Sequence, residues 1–286
     1  MNKVKVYEAI LHLLQKKAEA AHIKDLKEYY SPDKSKSPYY CLASSLQNSA
    51  SSGMDRSIKF NGENHEKIKE ILMDFDPQRV CEEYPDDKAL YTAFVSQIPD
   101  SGAVSRDGRA SREKDETKKR RIESKETHWE KYAKGMLEGA RFLTSEEGKQ
   151  LLQELIQYNE NVKFDKKWAA KALKEMQNIH GLGFALTCDW LKECGCTWLA
   201  KPDVHIKKVY AAMVSKEKDI QIDENKIKEL DVVEYYYDWA KELQNNGHNV
   251  SAYQLDRMIW LICTGEFFKD KDMTIGRNSI LEAISE

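Results

Sequence analysis

Residues 179–210 read IHGLGFALTCDWLKECGCTWLAKPDVHIKKVY and are the most informative part of the chain. Apolar residues repeat at helical spacing over about 166–178, just before this stretch. The helical pattern is interrupted by the Gly-Leu-Gly triplet at 181–183 and resumes at Leu186. The sequence therefore predicts two helices joined by a tight turn. This is either a helix-hairpin-helix or an ordinary corner between two helices, capped by glycine.

The glycines of this turn make it a candidate binding site for phosphate. Gly181 and Gly183 tolerate positive φ and leave the backbone uncovered, while Leu182 is placed to tuck between the two helices. The exposed N–H groups, together with those at the start of the next helix, can hold a phosphate without any side chain. Because such a turn binds the nucleic-acid backbone, it need not recognise a base sequence.

A second candidate site follows in the segment Lys201-Pro-Asp-Val-His205. Proline is common at the first position of a helix, so we expect Pro202 there, with Asp203 in the first turn. The helix dipole stabilises a carboxylate in that turn as an anion. Asp203 is therefore a candidate for chemistry that needs an ionised carboxylate, although a helix cap or a salt-bridge partner would use the same residue type.

The Gly181-Leu182-Gly183 turn and the Asp203-Val204-His205 element resemble the helix-hairpin-helix superfamily of base-excision DNA glycosylases. The resemblance covers about residues 40–270. It implies an all-α fold with two lobes and a cleft between them. Residues 1–41 and 201–286 would form the terminal lobe, and residues 42–200 would form a central lobe that ends in the hairpin.

The resemblance also implies a set of site residues. Asp203 would be the catalytic carboxylate. An early helix of the family supplies a polar residue to the gap left by an extruded base, and the sequence LASSLQNSASS at 42–52 is similar to it. Gln47 with Asn48 would fill the gap, although an exposed helical glutamine is an equal alternative. The residues expected to contact DNA are Gly181, Leu182, Gly183, Gln47, Asn48 and His205.

The chain departs from the family at the position of the lysine nucleophile. Bifunctional members carry this lysine two residues after the second hairpin glycine, where this chain has Ala185. The resemblance is therefore to the monofunctional branch, in which water is the nucleophile. The alternative is a helix-hairpin-helix module that binds DNA and has lost its catalytic activity. Aromatic residues would line a base pocket, and the candidates are Tyr39, Tyr40, Trp129, Tyr132, Trp190 and Trp198.

No cofactor or metal is expected. Some members of the family hold an iron–sulfur cluster with four cysteines near the C-terminus, but only Cys263 follows Cys196 here. A set of Cys188, Cys194, Cys196 and His205 matches the spacing of neither a zinc ribbon nor a zinc finger.

The composition sets limits on the class of protein and its partners. The chain has 286 residues, 33% charged and 41% hydrophobic, with a net charge of -3. This composition excludes collagen-like and wholly disordered proteins, and no apolar run approaches the roughly 20 residues of a membrane-spanning helix. We expect a cytoplasmic or nucleoid monomer that is not secreted, keeps its six cysteines reduced and needs no protein partner. Double-stranded DNA would bind to a local surface, because the chain as a whole is not basic.

Residues 101–126 form a charged insertion with almost no large apolar side chain. The basic run at 118–121, KKRR, belongs either to a solvated loop or helix, or to an arm that contacts phosphate. This insertion and the missing lysine are compatible with a non-standard base as substrate but do not identify it. Repair of a damaged base and defence against hypermodified phage DNA both remain open.

Overall fold

The computed structural model describes residues 2–20, 22–33, 35–51, 63–98, 114–117, 126–158, 163–264 and 278–285. These residues form helices and no β-strand, which confirms the predicted all-α class. In chain order the helices are α1 (Lys3–Ala20), α2 (Lys27–Tyr30), α3 (Pro38–Ser51), α4 (Glu63–Ile71), α5 (Pro77–Glu83), α6 (Asp87–Gln97), α7 (His128–Thr144), α8 (Glu146–Ile156), α9 (Lys166–Met176), α10 (Phe184–Glu193), α11 (Val204–Lys218), α12 (Glu229–Asn245), α13 (Ala252–Thr264) and α14 (Asn278–Ser285). Short 3-10 turns occur at Met73–Phe75 and Glu224–Lys226.

The chain folds into two compact units. The first unit comprises Met1–Lys34, Ile156–Lys171 and Leu191–Glu286, and the second comprises Ser35–Leu155 and Ala172–Trp190. The lobe boundaries drawn from the sequence lie at 41/42 and 200/201, so the units differ from them at 35–41, 156–171 and 191–200. The two-lobed family fold with a cleft stays a prediction.

The first unit is built around the apolar faces of α1, α11, α12, α13 and α14. Each face follows the helical repeat of its sequence, and the residues on it are removed from solvent. The fully buried members include Ile10, Leu14, Ile206, Val209, Met213, Val232, Tyr236, Trp239, Leu243, Leu255, Ile259, Leu261, Ile262 and Ile280. The indole of Trp239 also donates a hydrogen bond to the carbonyl oxygen of Lys3 at 3.2 Å, which ties α12 to the start of α1.

The second unit is organised by α7, which packs on α3, α5 and α6. Thr127 and Glu130 form a reciprocal capping box that starts this helix. Two buried tyrosines join α3 to α7, because Tyr39 donates a hydrogen bond to the carbonyl of Met136 and Tyr132 donates one to the carbonyl of Ala43. These contacts fix the helix that carries Gln47.

The charged insertion is described only in part. Residues 114–117 and 126 are exposed, whereas 101–113 and 118–125 lie outside the described residues. The basic run at 118–121 therefore stays a prediction from sequence. In the described part of the chain, no helix is both long enough and apolar enough to cross a membrane.

Candidate nucleic-acid interface and catalytic carboxylate

The glycine turn between α9 and α10 lies in the second unit. Gly181 has a φ of +86°, in the left-handed region that side chains other than glycine rarely adopt. A Cβ atom at this position would also lie 3.2 Å from Cδ2 of Leu46. Leu182 is buried, and its N–H donates to the carbonyl of Ile179 at 3.1 Å. The turn therefore requires glycine at 181 for both its conformation and its packing.

Gly183 contributes in a different way from the one expected, since only Gly181 of the two uses positive φ. A Cβ atom at Gly183 would meet nothing within 4 Å. Its carbonyl accepts hydrogen bonds from the backbone N–H and the hydroxyl of Thr187, at 2.9 and 3.1 Å. Gly183 thus precedes the first turn of α10, whose leading N–H groups have no acceptor within the helix. An open surface beside such N–H groups is suited to an anion.

Helix α3 lies beside this turn. Leu46 approaches Gly181, and it is also the neighbour that a Cβ at Gly135 of α7 would meet at 2.9 Å. The residue before it, Ser45, donates a hydrogen bond to the carboxylate of Asp189 at 3.3 Å. The half-buried Gln47 follows Leu46 directly, so the structure brings its helix together with the hairpin. The side chain of Asn48 lies outside the described residues.

His180, immediately before the turn, is held by two carboxylates that the sequence analysis did not anticipate. Its backbone N–H donates to Glu138 at 2.7 Å, and its Nε2 lies 3.0 Å from a carboxylate oxygen of Glu126. The carbonyl oxygen of His180 would lie 2.4 Å from a Cβ at Gly135, so α7 approaches the turn closely. Because the His180 ring already contacts a carboxylate, the groups of this turn that are suited to an anion are its backbone N–H groups.

Asp203 lies in the first unit and caps α11. The helix begins at Val204 with Asp203 as its N-cap, so the expectation that Pro202 takes the first helical position and Asp203 the first turn is wrong by two residues. Oδ1 of Asp203 accepts hydrogen bonds from the N–H groups of His205 and Ile206, at 2.8 and 3.0 Å. This is the preferred use of an aspartate just before a helix, and it explains the shift.

The other oxygen of Asp203 has different surroundings. Within the described residues, the side-chain hydrogen bonds of Asp203 all go to Oδ1. The side chain is half-buried, and the next residue, Val204, is 61% exposed although it is apolar. The carboxylate is therefore fixed in orientation by its cap, and Oδ2 has no hydrogen-bond partner among the described residues. His205 is half-buried, and its backbone N–H is used by this cap.

A buried acidic residue, Asp256 of α13, supports the segment before Asp203. Its Oδ2 accepts the backbone N–H of Lys201 at 2.6 Å and forms an ion pair with Nζ of Lys192 at 3.0 Å. The side chains of Asp256 and Lys192 are 1% and 3% exposed. Burial raises the pKa of Asp256, and the charge of Lys192 acts in the opposite direction. This pair was not predicted, because its only signal in the sequence is an acidic residue between the apolar positions 255 and 258.

The aromatic candidates for a base pocket are mostly core residues. Tyr39, Trp129, Tyr132, Trp190 and Trp198 are buried, whereas Tyr40 is half-buried. A further pair has exposed area: the rings of Tyr158 and Trp168 are half-buried and stack at 4.7 Å with an interplanar angle of 15°. Of these aromatics, Tyr40, Tyr158 and Trp168 therefore retain surface that could meet a base.

No metal centre is formed by the described residues, since no three His, Cys, Asp or Glu side chains are grouped to hold an ion. No two of the six cysteines are joined in a disulfide.

Comparisons with known proteins add no relative: no family model, curated protein or solved structure shows significant similarity to the chain. Inferences about function therefore depend on the residues and their geometry.

Proposed function

We propose that the chain is a monofunctional DNA glycosylase. It would turn a damaged or modified base out of duplex DNA and hydrolyse the N-glycosidic bond with water, leaving an abasic site. A base inside a duplex is shielded by stacking, so the reaction requires extrusion of the nucleotide into a pocket. Breaking the bond then builds positive charge on the sugar, as in glycoside hydrolysis.

The observation that carries this proposal is the arrangement of Asp203. Its carboxylate is oriented through Oδ1 by two backbone N–H groups, and Oδ2 has no hydrogen-bond partner in the described chain. A fixed carboxylate of this kind stabilises an oxocarbenium-like sugar. It can also orient a water molecule or accept a proton from it. Both tasks are needed when no amine takes part in the reaction.

Neither of two positions in α10 offers an amine suited to attack the sugar, which supports water as the nucleophile. Ala185 is where a lysine would stand, in the first turn of α10. Lys192, at the end of the same helix, is buried in its ion pair with Asp256 and is therefore screened from a substrate. In this proposal the backbone of residues 181–183 binds phosphate, and Gln47 fills the space of the extruded base.

A panel of duplexes and phage DNAs with different modified bases tests the proposal. Release of a free base is measured with enzyme in excess over DNA. Asp203→Asn keeps an oxygen for the cap and removes the charge, so it should lower the rate of base release by about 100-fold or more. DNA affinity should stay unchanged or rise, because a negative charge near phosphate is removed.

Asp165→Asn is the matched control. Asp165 caps α9 in the same way, with Oδ1 accepting the N–H groups of Lys167 and Trp168 at 3.1 and 3.0 Å. Its replacement by asparagine removes one charge from the same unit and should leave base release unchanged. Full activity of Asp203→Asn would show that the catalytic group is elsewhere.

A catalytically inactive DNA-binding module is the second candidate function. The observation in its favour is that the cap alone accounts for an aspartate at 203, whether or not it meets a substrate. Such a module would bind duplex DNA and release no base from any member of the panel. In that case Asp203→Asn would alter neither binding nor stability beyond the effect of one surface charge.

A further inference from the structure

The segment 194–202, which connects α10 to Asp203, is anchored on one face of α13. The backbone N–H of Tyr253 donates to the carbonyl of Thr197 at 2.9 Å. The hydroxyl of Tyr253 also lies 3.4 Å from both carboxylate oxygens of Glu193, the last residue of α10, just before this segment. Asp256, one turn further along α13, accepts the N–H of Lys201 at 2.6 Å. The last of these anchors is the closest in sequence to the candidate catalytic residue.

A continuous chain of hydrogen bonds leads from this anchor to Asp203. Lys192 donates to Asp256, Asp256 accepts from the N–H of Lys201, and the carbonyl of Lys201 accepts the N–H of Asp203 at 2.7 Å. The peptide units on either side of Lys201 are thus fixed, one by a buried carboxylate and the other by Asp203 itself. Movement of Asp256 would change the position at which Asp203 enters α11.

Stability alone gives a weak reason for a buried ion pair at this place. The desolvation of two charges offsets most of their attraction, and a well-packed apolar pair is often as stable. The surroundings of Asp256 also disfavour its negative charge. Burial is the main cause of the raised pKa of Asp256, and the nearby charge of Asp203 raises it further. A charged pair at a place where it adds little stability indicates that the protein needs the hydrogen bond that Asp256 accepts from the backbone N–H of Lys201.

We propose that Asp256, with Lys192 as its counter-ion, is a positioning residue that sets the place of the Asp203 carboxylate by holding the N–H of Lys201. The inference rests on the proposed glycosylase activity. Asp256 touches neither DNA nor base in this role. Its contribution is geometric, and a displacement of about 1 Å at a catalytic group can lower a rate by about 100-fold.

Two double variants separate positioning from stability. Both replace Lys192 by Met, so neither leaves a buried charge without its partner. Lys192→Met with Asp256→Asn keeps an oxygen that can accept the N–H of Lys201, whereas Lys192→Met with Asp256→Leu does not. The measurements are the rate constant of base release at saturating enzyme, the Kd for duplex DNA and the thermal midpoint.

The variant with Asn should release base at a rate close to that of the wild type. The variant with Leu should be about 100-fold slower with an unchanged Kd, because binding of the DNA backbone is not affected. If the variant with Leu does not fold, Lys201→Pro removes the same hydrogen bond from the donor side and should lower the rate equally. A rate within about threefold of wild type in the folded variant, or a parallel decline of rate and affinity, overturns the role of Asp256.

The outcome for the wild type distinguishes this inference from the proposed function. A wild-type protein that releases no base from any duplex overturns the glycosylase proposal, and the role of Asp256 falls with it. An active wild type whose variant with Leu keeps its full rate overturns the role of Asp256 alone.

Discussion

The two oxygens of the Asp203 carboxylate have different tasks in the proposed mechanism. Oδ1 satisfies the N–H groups of His205 and Ile206, which have no acceptor within α11. Oδ2 is available to a substrate. The cap therefore restricts the rotation of the side chain and keeps the second oxygen in one place. The energetic value of the cap and the chemical value of the charge can be measured separately with different substitutions.

Asp203→Ser and Asp203→Ala separate these two contributions. Serine is a good helix cap and carries no charge, whereas alanine is neither a good cap nor charged. We expect Asp203→Ala to lower the free energy of unfolding by about 1 kcal/mol and Asp203→Ser to lower it by a few tenths. Chemical denaturation gives both values, and both variants should fail to release base. A free energy of unfolding of Asp203→Ala equal to that of the wild type would mean that the observed hydrogen bonds contribute no stability.

Gly181 and Gly183 should respond differently to alanine. Gly181→Ala places a Cβ in a left-handed conformation 3.2 Å from Leu46, so we expect stability to fall by about 1–2 kcal/mol. Gly183→Ala meets open space and should fold normally, but its methyl group would cover the N–H groups that we propose bind phosphate. Thermal unfolding and a DNA-binding titration distinguish the two effects. Unchanged DNA affinity in Gly183→Ala would place the phosphate site elsewhere.

Asp203 and Asp256 show which residues of the site can be predicted from the sequence and which cannot. Asp203 is identifiable as a residue at the start of a helix because its neighbours Pro202 and His205 make a recognisable local pattern, but the predicted start of the helix is two residues too early. Asp256 was missed because its partner Lys192 is 64 residues away. Pairing over such a distance leaves no mark in a local pattern. An acidic residue within an apolar helical face was the single indication.

At the scale of elements, apolar periodicity predicts the helices well. The spacing of Val232, Tyr236, Trp239 and Leu243 predicts α12, and all four side chains are buried. Periodicity identifies the buried face of a helix, because that face must meet other apolar surface. It carries no information on which helix supplies that surface. The contact of α3 with the glycine turn through Leu46 therefore appears only in the structure.

The basic run at 118–121 is the element whose function is tested most directly by salt. If these four side chains bind phosphate, their replacement by alanine should weaken DNA binding at low salt. The slope of log K against log salt should become shallower by about 0.9 for each phosphate that the variant no longer neutralises. Replacement of the four exposed lysines Lys5, Lys16, Lys171 and Lys218 removes the same net charge and serves as the control. An unchanged slope would assign the run to solvated surface.

At the scale of the whole molecule, composition and periodicity establish the all-α class, because helical repeats dominate and no alternating strand pattern occurs. The division into units depends on contacts between distant segments, such as the assignment of 156–171 to the same unit as α11 to α14. An enzymatic activity depends on the geometry of a few side chains, which neither composition nor periodicity records. Biochemical measurement is therefore the direct test of the proposed activity.

The order of the products tests the proposed chemistry of the intact protein. With Ala185 in the place of a lysine and Lys192 buried in an ion pair, neither position offers an amine that could form an imine with the sugar. The first product should be an intact strand with an abasic site, and borohydride should trap no covalent adduct between protein and DNA. Ala185→Lys is the matched variant, because it restores an amine in the half-buried first turn of α10 and should yield both an adduct and a nicked strand. An adduct with the wild type would show that another amine attacks the sugar and that Asp203 does not act through water.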